Sequence, residues 1–351
     1  MRAARLHELL VAAVLVTLPL STGAHEVSMA ILVGWALLVR RVAGFSALPW
    51  SGAAVATAAA CVLGAWASGD VREGFGQAWL LAPLVALAVP VEERAMRWLL
   101  RLGVGAAAVA AAVAVTQAAV GGEGRGLFSH HLSLAYALLP PFAVALSRRQ
   151  FPLAALLAAG VLAARSDAAP IALLATALAV WTGRPLVATL VGSVATLGAL
   201  AGFAGTDELR QRAVLWTGGL LVDPGSAGAG GYALASAPEY ERLSPGFWFP
   251  NHAHDSFIQL GATLGAGGVL AMAVLVLAAM KHGHPAARAG LAGVLVGGLT
   301  QNTLGDLEVA RAVWVWLAIL GTVGHAGGQS AACPPSSSSS APPSPEPSTR
   351  P

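Results

Sequence analysis

The sequence predicts an all-α, polytopic integral membrane protein with about twelve transmembrane helices and one large loop on the outer side. Of its 351 residues, 56% are apolar and only 11% are charged. About a quarter of the residues in an ordinary soluble domain are charged. The mean hydropathy is +0.69, and long apolar runs recur along the chain. These observations exclude an ordinary cytosolic enzyme.

The apolar runs have the length that a membrane requires. A bilayer core of about 30 Å needs roughly 17–25 apolar residues in a helix, and runs at or below the lower limit are interpreted as tilted, merged or re-entrant. Runs of this order lie near residues 7–22, 24–39, 51–67, 76–91, 98–120, 131–147, 151–165, 168–182, 185–204, 256–280, 287–304 and 310–325. The first run also resembles a secretory signal peptide. Ahead of so many further runs, it is expected to remain as the first transmembrane helix.

The basic residues predict that both termini are cytoplasmic. With the amino terminus inside, 13 of the 20 Lys and Arg residues fall on inner segments: Arg2, Arg5, Arg40, Arg41, Arg94, Arg97, Arg101, Arg148, Arg149, Arg184, Lys281, Arg288 and Arg350. Acidic residues concentrate on the outer segments instead. This asymmetry is typical of inner-face loops. The net charge of +3 is too small to indicate a nucleic-acid partner.

The chain divides into a transmembrane domain, residues 1–328, and a tail, residues 329–351. Within the domain, residues 205–253 form a predicted large outer loop, and loops of that length are usually functional. The tail is rich in Pro and Ser and is expected to be a disordered cytoplasmic end. The two cysteines, Cys61 and Cys333, indicate neither a disulfide framework nor a metal cluster.

A helix is predicted to begin at Asp207 in the large loop, because acidic residues occupy its first turn. Its apolar positions recur at helical spacing: Leu209, Ala213, Trp216 and Leu220. Such a helix would lie on the membrane surface with Trp216 at the level of the headgroups. Arg212 on this helix either binds a ligand or pairs with Glu208 one turn earlier.

A glycine-rich segment at residues 223–232 follows and includes Gly228 and Gly230. Glycines permit close approach of the backbone to an anion. No strand and no crossover unit surround them, so a dinucleotide site is disfavoured and a flexible turn is the alternative. The aromatic triplet at residues 247–249 is interpreted as an interfacial anchor.

The loop ends in His252, His254 and Asp255, directly before a long apolar run. Histidine accepts a proton near neutral pH, so a general base is the leading interpretation. Two alternatives stay open. One is a metal site formed by the His252/His254 pair, joined by His130-His131, although no carboxylate or thiolate set accompanies it at ligand spacing. The other is a simple helix cap by Asn251 or Asp255.

Arg165 lies in a short polar break, Arg165-Ser166-Asp167, between two apolar runs. By the alternation of charge it is on the outer side, where its simplest role is to extend toward the interface beside Asp167. Arg165, Arg212 and His254 are therefore predicted on the same face. Two arginines suit a diphosphate, because the planar guanidinium binds phosphate oxygens bidentately and stays charged.

In their order, these motifs resemble the O-antigen ligase/polymerase family of integral-membrane glycosyltransferases. The matching segments are Gly126–Ala135, which includes His131, then Arg165 in its outer turn, Arg212-x-x-x-Trp216, Gly228-x-Gly230 and His254–Gly268. The match in motif order extends over roughly residues 120–285. Asp255 stands where the family has Asn, and Arg165 precedes its Ser instead of following one.

This resemblance implies transfer of a glycan from an undecaprenyl-diphosphate carrier to an acceptor hydroxyl, on the periplasmic face of a bacterial inner membrane. Arg165 and Arg212 would hold the diphosphate leaving group, and His254 would take the proton of the acceptor. No metal or other cofactor would be needed. The supporting positions would be His252, Asp255, Trp216, Gly228, Gly230 and His131.

The resemblance leaves the acceptor open. A ligase would use the sugar of a lipid core, a polymerase would use another growing glycan, and a protein O-oligosaccharyltransferase would use a protein hydroxyl. A transporter or flippase is the alternative from a different class, since twelve helices are common in permeases. Transporters tend to carry inverted repeats and charges near the membrane midplane, and neither is recognisable in this sequence.

Overall fold

The protein is all-helical in the computed structural model, which describes residues 2–20, 22–43, 50–68, 71–86, 91, 93–202, 205–225, 227, 231–246 and 253–330. Helices account for 80% of the chain, and the described residues contain no strand. The helices are α1 (Arg2–Thr17), α2 (Thr22–Ala43), α3 (Ser51–Ser68), α4 (Val71–Trp79), α5 (Ala82–Ala86), α6 (Glu93–Ala119), α7 (His131–Ala137), α8 (Leu139–Ser147), α9 (Phe151–Ala163), α10 (Ala169–Thr182), α11 (Pro185–Gly202), α12 (Asp207–Leu221), α13 (Tyr232–Leu243), α14 (Ser256–His282), α15 (Pro285–Gly297) and α16 (Leu307–Ser330).

Three of the described helical segments are long and apolar enough to cross a membrane: Arg94–Ala119 in α6, Pro185–Gly202 (α11) and Ser256–His282 (α14). Shorter apolar helical segments of 10–17 residues accompany them, among them α9, α10 and α15. The all-α class and the presence of helices suited to a membrane are thus confirmed.

Helix α11 is packed in the opposite sense to a helix on the surface of a soluble protein. Its large apolar side chains face outward, with exposures of 58% at Leu186, 66% at Leu190, 62% at Val194 and 55% at Leu197. The face toward the protein carries small residues: Pro185, Ala188, Gly192 and Thr196. A Cβ on Gly192 would lie 2.7 Å from a methyl of Val296. Small residues between helices and large apolar residues outside are typical of packing in lipid.

The centre of the protein is built around α15, whose residues 289–297 are all buried. It packs against α8, α10, α11 and α16. Helix α16 brings Trp314 and Trp316, at 1% and 2% exposure, into the same core. Because α15 touches so many neighbours, the connection that follows it, residues 298–306, is fixed at the end of the helical core.

Several of the predicted apolar runs differ from single continuous helices. The run at 76–91 contains the end of α4, a turn at Leu80–Leu81 and α5, and residues 87–90 lie outside the described part. The run at 131–147 is divided between α7 and α8. Each restart has a proline within its first residues, where the missing N–H is tolerated. The run at 287–304 is helical only to Gly297 and continues as a turn.

Helix α14 is broken at Gly265, where φ is 66° and ψ is −176°. This region is almost confined to glycine. The break releases the carbonyls of Gly261 and Ala262, and residues of the 205–253 loop donate hydrogen bonds to them. The N–H of Gly225 donates to both carbonyls at 3.2 and 3.0 Å, and the N–H of Ala227 donates to Ala262 at 3.3 Å. The loop is therefore anchored to a transmembrane candidate by its backbone.

The large loop contains two helices, α12 and α13, that pack against each other and against α14. The helix predicted from Asp207 is confirmed, and the Thr206 side chain accepts the N–H of Leu209 as its cap. The face turned toward α13 carries Leu215 and Gly218, and the Tyr240 hydroxyl donates to the Leu215 carbonyl at 3.2 Å. On the predicted apolar face, Leu220 is 71% exposed. Leu209 and Trp216 on the same face are partly buried, so this face is exposed only in part.

The last described helix, α16, continues to Ser330. It passes the expected start of the disordered tail at residue 329 by two residues. Residues 331–351, including Cys333, lie outside the described part of the chain.

Candidate functional site

Arg212 is the charged centre of the candidate site. Its Nη1 donates to the carbonyl of Thr300 at 3.0 Å, and its Nη2 lies 3.8 Å from a carboxylate oxygen of Asp167. The Arg212 side chain is only 13% exposed, whereas that of Asp167 is 69% exposed. The side chain of Glu208, the partner considered from the sequence, lies outside the described part. The described contacts of Arg212 reach two other elements of the fold.

Asp167 belongs to the polar break between α9 and α10. Ser166 in that break is buried, and its hydroxyl is 3.2 Å from the hydroxyl of Tyr136 on α7. Arg165 is exposed and has a φ of 53°. Among the described side chains no ion pair or hydrogen bond joins Arg165 to Arg212. Two arginines were predicted to act together. In the structure Arg212 is nearly buried, whereas Arg165 is exposed near the edge of the site.

A cleft with a volume of about 40 Å³ opens beside Arg212, between α10, α11 and α12. Its lining residues are Asp167, Ala168, Ile171, Thr196, Ala199, Leu200, Leu209, Arg212 and Thr300. Charge is confined to Asp167 and Arg212, and most of the wall is apolar. Thr196 is 2% exposed, and its hydroxyl has no hydrogen-bond partner among the described residues. A buried hydroxyl of this kind is normally satisfied, so the cleft offers a spare polar group.

The start of α14 is tied to the same turn that holds Thr300. The backbone N–H of Ser256 donates to the Gly298 carbonyl at 2.7 Å, and its hydroxyl donates to the Gln301 carbonyl at 3.1 Å. His254 precedes Ser256 by two residues and is half-buried. The structure therefore brings His254 and Arg212 to one end of the molecule, connected through residues 298–304.

His254 has a φ of 52°, in the left-handed region that non-glycine residues rarely adopt. Among the described non-glycine residues, positive φ occurs at three positions, and two of them are the predicted site residues Arg165 and His254. Each such residue costs of order 1–3 kcal/mol, and strain of this kind concentrates at functional sites. The third position is Arg149, which like Arg165 directly follows the carboxyl-terminal cap of a helix, where left-handed residues are common. His254 precedes a helix, so its positive φ is the more unusual.

Asp255 is the amino-terminal cap of α14, as one of the sequence alternatives held. Its Oδ1 accepts the N–H groups of Phe257 and Ile258 at 2.8 and 2.9 Å. The side chain is buried, and burial raises the pKa of Asp255 while the two backbone hydrogen bonds oppose that increase. The observed function of Asp255 is thus to fix the helix start directly after His254.

His131 lies in a neighbouring polar cluster. Its Nδ1 is 3.0 Å from a carboxylate oxygen of Glu123, and its ring stacks on that of His130 at a centroid distance of 4.2 Å. The cluster continues to Asp306, the residue before α16, which accepts the Ser133 hydroxyl at 2.8 Å. His131 is five residues from Tyr136 on α7, about 7.5 Å along the helix axis. The described contacts of its side chain are with Glu123 and His130.

The remaining predicted residues divide into two groups. His252, Gly228 and Gly230 lie outside the described residues, so the His252/His254 pair is not described. Trp216 is partly buried on α12, and its Nε1 is buried without a hydrogen-bond partner in the described part. Within the described residues, no group of three or more His, Cys, Asp or Glu side chains is placed to hold a metal ion.

Sequence reasoning missed Asp167 and Thr300 as partners of Arg212, and it missed Thr196 in the cleft. Asp167 was assigned to Arg165, its neighbour in the chain. Thr300 acts through its backbone carbonyl, which any residue type possesses, so no sequence signal could have identified it. Thr196 lies in an apolar run, and a single hydroxyl there gives a weak signal at best.

Comparison with protein-family models finds no matching family, and comparison with curated proteins finds no match. The function of the site is therefore inferred from its residues and geometry.

Proposed function

We propose that the protein is a membrane enzyme that transfers a glycan from an undecaprenyl-diphosphate carrier to an acceptor hydroxyl on the outer face of a bacterial inner membrane. The observation that carries this proposal is the placement of Arg212. A nearly buried guanidinium lines an otherwise mostly apolar cleft and is positioned by a backbone carbonyl. This combination suits a ligand with an anionic head and an apolar tail.

The membrane placement is supported by the outward apolar face of α11 and by the charge asymmetry of the sequence. In the proposed topology about twelve spans place both termini in the cytoplasm and residues 205–253 in the periplasm. Leu234 on α13 is 83% exposed and can carry a reporter cysteine. In intact cells, a membrane-impermeant thiol reagent should label Leu234→Cys and leave the native Cys333 unlabelled. Equal labelling of both would refute the orientation.

Arg212 is proposed to bind the diphosphate. The Asp167 side chain is mostly exposed. Its carboxylate oxygen lies 3.8 Å from Nη2 of Arg212, which is longer than a charge-assisted hydrogen bond. A phosphate oxygen that approaches along the cleft can replace this contact, because the exposed Asp167 carboxylate returns to water while Arg212 keeps an anionic partner. Arg165, at the exposed edge, would add a second positive charge once the ligand is bound.

His254 is proposed as the general base. The acceptor oxygen attacks the anomeric carbon and forms the new glycosidic bond, while its proton passes to the imidazole. The bond between the anomeric carbon and the diphosphate oxygen breaks, and its electron pair leaves with the diphosphate, which Arg212 stabilises. The strained backbone of His254 and the capped helix start after it support a fixed orientation of the ring.

The acceptor class follows from neither the cleft nor the His131 cluster. A ligase, a polysaccharide polymerase and a protein O-oligosaccharyltransferase share this donor chemistry, so each remains an alternative within the proposal.

A transporter or flippase is favoured by one feature, the break of α14 at Gly265, because transporters bind substrates at interrupted helices. In those proteins the released backbone groups are available to the substrate. Here the released carbonyls of Gly261 and Ala262 accept the N–H groups of Gly225 and Ala227. The break therefore anchors the loop, and glycan transfer remains the better-supported proposal.

The decisive experiment combines the purified full-length protein in proteoliposomes with a purified lipid-diphosphate glycan donor and candidate acceptors, in the presence of a chelator. Transfer to an acceptor with release of undecaprenyl diphosphate is expected. Movement of intact donor between leaflets without cleavage would establish the flippase alternative. Transfer that requires added zinc would replace His254 as base with a metal site.

A further inference from the structure

A second group of arginines gathers at the other end of the helical core. Arg97 and Arg101 lie in the first turns of α6, Arg148 caps the carboxyl end of α8, and Arg288 lies in the first turn of α15. Helix α8 packs against both α6 and α15. These positions are separated by many residues in sequence, and the tertiary structure brings them to one surface. We call Arg101, Arg148 and Arg288 the inner basic surface.

The electrostatics agree with close placement of these charges. Partial burial lowers the pKa of Arg148, and the positive charges of Arg101 and Arg97 lower it further. Burial also lowers the pKa of His284, and the positive charges of Arg148 and Arg288 lower it further. Like charges held this near to each other repel, so an anion bound among them would be stabilised.

The inner basic surface has spare hydrogen-bond donors. No ion pair among the described side chains involves Arg101, Arg148 or Arg288. Arg288 donates Nη1 to the Met280 carbonyl at 3.4 Å, and its Nε is buried without a partner in the described part. Guanidinium groups with unused N–H donors are suited to the oxygens of a phosphate.

Exposed aromatic side chains border the arginines. Trp98 on α6, between Arg97 and Arg101 in sequence, is 48% exposed, and Phe151 at the start of α9 is 60% exposed. Aromatic residues at helix ends are typical of the region between headgroups and acyl chains. A lipid whose phosphate reaches the arginines would therefore find apolar surface for its chains beside them.

We propose that the inner basic surface binds the phosphate of an anionic phospholipid, in the leaflet opposite the candidate functional site. The combination of clustered guanidinium groups and adjoining exposed aromatics distinguishes a lipid from a soluble anion, which would need only the charges. This proposal rests on the membrane placement proposed above and does not depend on glycan transfer.

The experiment titrates the full-length protein, freed of lipid in a non-ionic detergent, with phosphatidylglycerol or phosphatidylcholine and counts bound lipids by native mass spectrometry. Wild type should prefer phosphatidylglycerol. Each arginine near a membrane surface contributes about fivefold to anionic-lipid affinity, so Arg101→Gln with Arg148→Gln should weaken phosphatidylglycerol binding about 25-fold. Phosphatidylcholine binding should not change.

The matched control removes the same charge elsewhere, through Arg210→Gln with Arg242→Gln on the loop helices, and should keep the preference. If the inner double variant does not fold, Arg148→Gln alone, at an exposed helix end, should still cost about fivefold. Equal affinity of wild type for both lipids, or an equal loss in the control, would overturn the proposal. Binding of sodium pyrophosphate as tight as that of phosphatidylglycerol would identify a soluble-anion site instead. Glycan transfer does not enter this readout, so a failure here leaves the proposed function untouched.

Discussion

The replacement of Arg212 by lysine is the sharpest test of the proposed diphosphate site. A guanidinium carries five N–H donors in a planar fork. One of them, on Nη1, is directed to the Thr300 carbonyl at 3.0 Å, and Nη2 faces the Asp167 carboxylate at 3.8 Å. A lysine ammonium has three donors at one point. If one of these binds Thr300, the remaining two cannot form the parallel pair of contacts that arginine makes with a phosphate.

The expected magnitude follows from this geometry. The loss of one positioned donor to a developing oxyanion reduces turnover by about 10²–10³, or about 2.7–4 kcal/mol. We expect Arg212→Ala to fall in this range and Arg212→Lys to lose at least about tenfold, about 1.4 kcal/mol of activation free energy. Alanine also leaves the Thr300 carbonyl without its donor, at a cost of about 1–3 kcal/mol in stability.

The assay is the turnover rate in proteoliposomes, with the melting temperature of each variant measured in parallel. The control is Arg210→Ala on the same helix, because that side chain is 74% exposed and pairs only weakly with Asp207 at 3.4 Å. It should keep both activity and stability. Full activity in Arg212→Lys would refute bidentate binding. A comparable loss of turnover in Glu208→Ala would indicate that the role of Arg212 is a structural ion pair with Glu208.

Three further predictions concern the start and the break of α14. His254→Ala should keep its fold and its affinity for the donor while turnover falls about 10²–10⁴-fold, and wild-type turnover in that variant would exclude the base. Burial raises the pKa of Asp255 above its ordinary value of 3.8, so the folded state binds a proton more readily than the unfolded state. The free energy of unfolding should therefore increase as the pH falls through the folded-state pKa toward 3.8. Asp255→Asn keeps a cap acceptor without the charge, so it should raise the melting temperature at neutral pH and remove this acid dependence; a lower melting temperature would contradict the burial cost. Gly265→Ala should destabilise by about 1–3 kcal/mol because of its positive φ. Gly267→Ala, with open space around its Cβ, should be neutral or slightly stabilising. If both alanine variants changed the stability equally, a special backbone conformation at Gly265 would be refuted.

The fold class was accessible from the sequence because it depends on composition and on the length of apolar runs. Helices α9, α10 and α11 lie close to the runs from which they were predicted. The divided runs at 76–91 and 131–147 were less accessible, since a hydropathy average does not register where a proline restarts the helix. The break at Gly265 was inaccessible for a similar reason. Its carbonyls are satisfied by Gly225 and Ala227, which belong to a distant loop.

The candidate site was accessible in part. Charged residues are conspicuous in an apolar chain, so Arg165, Arg212 and His254 could be selected by residue type and predicted side of the membrane. A helix cap by Asn251 or Asp255 was one of the alternatives that the sequence left open, and the structure shows Asp255 as the cap. The prediction that two arginines act together stays a prediction, because Arg165 is exposed and only Arg212 lines the cleft.

The sequence by itself determined that this chain is helical, apolar and asymmetric in charge, because these properties are sums over residues and need no knowledge of distant contacts. It also selected the residue types able to bind a diphosphate and to accept a proton. Only the tertiary structure decided which groups surround them. Arg212 is held by a carbonyl 88 residues away, and the inner arginines meet only because α6, α8 and α15 pack together. Contacts of this kind depend on helix packing and on backbone atoms common to every residue, so they leave no local pattern in the sequence.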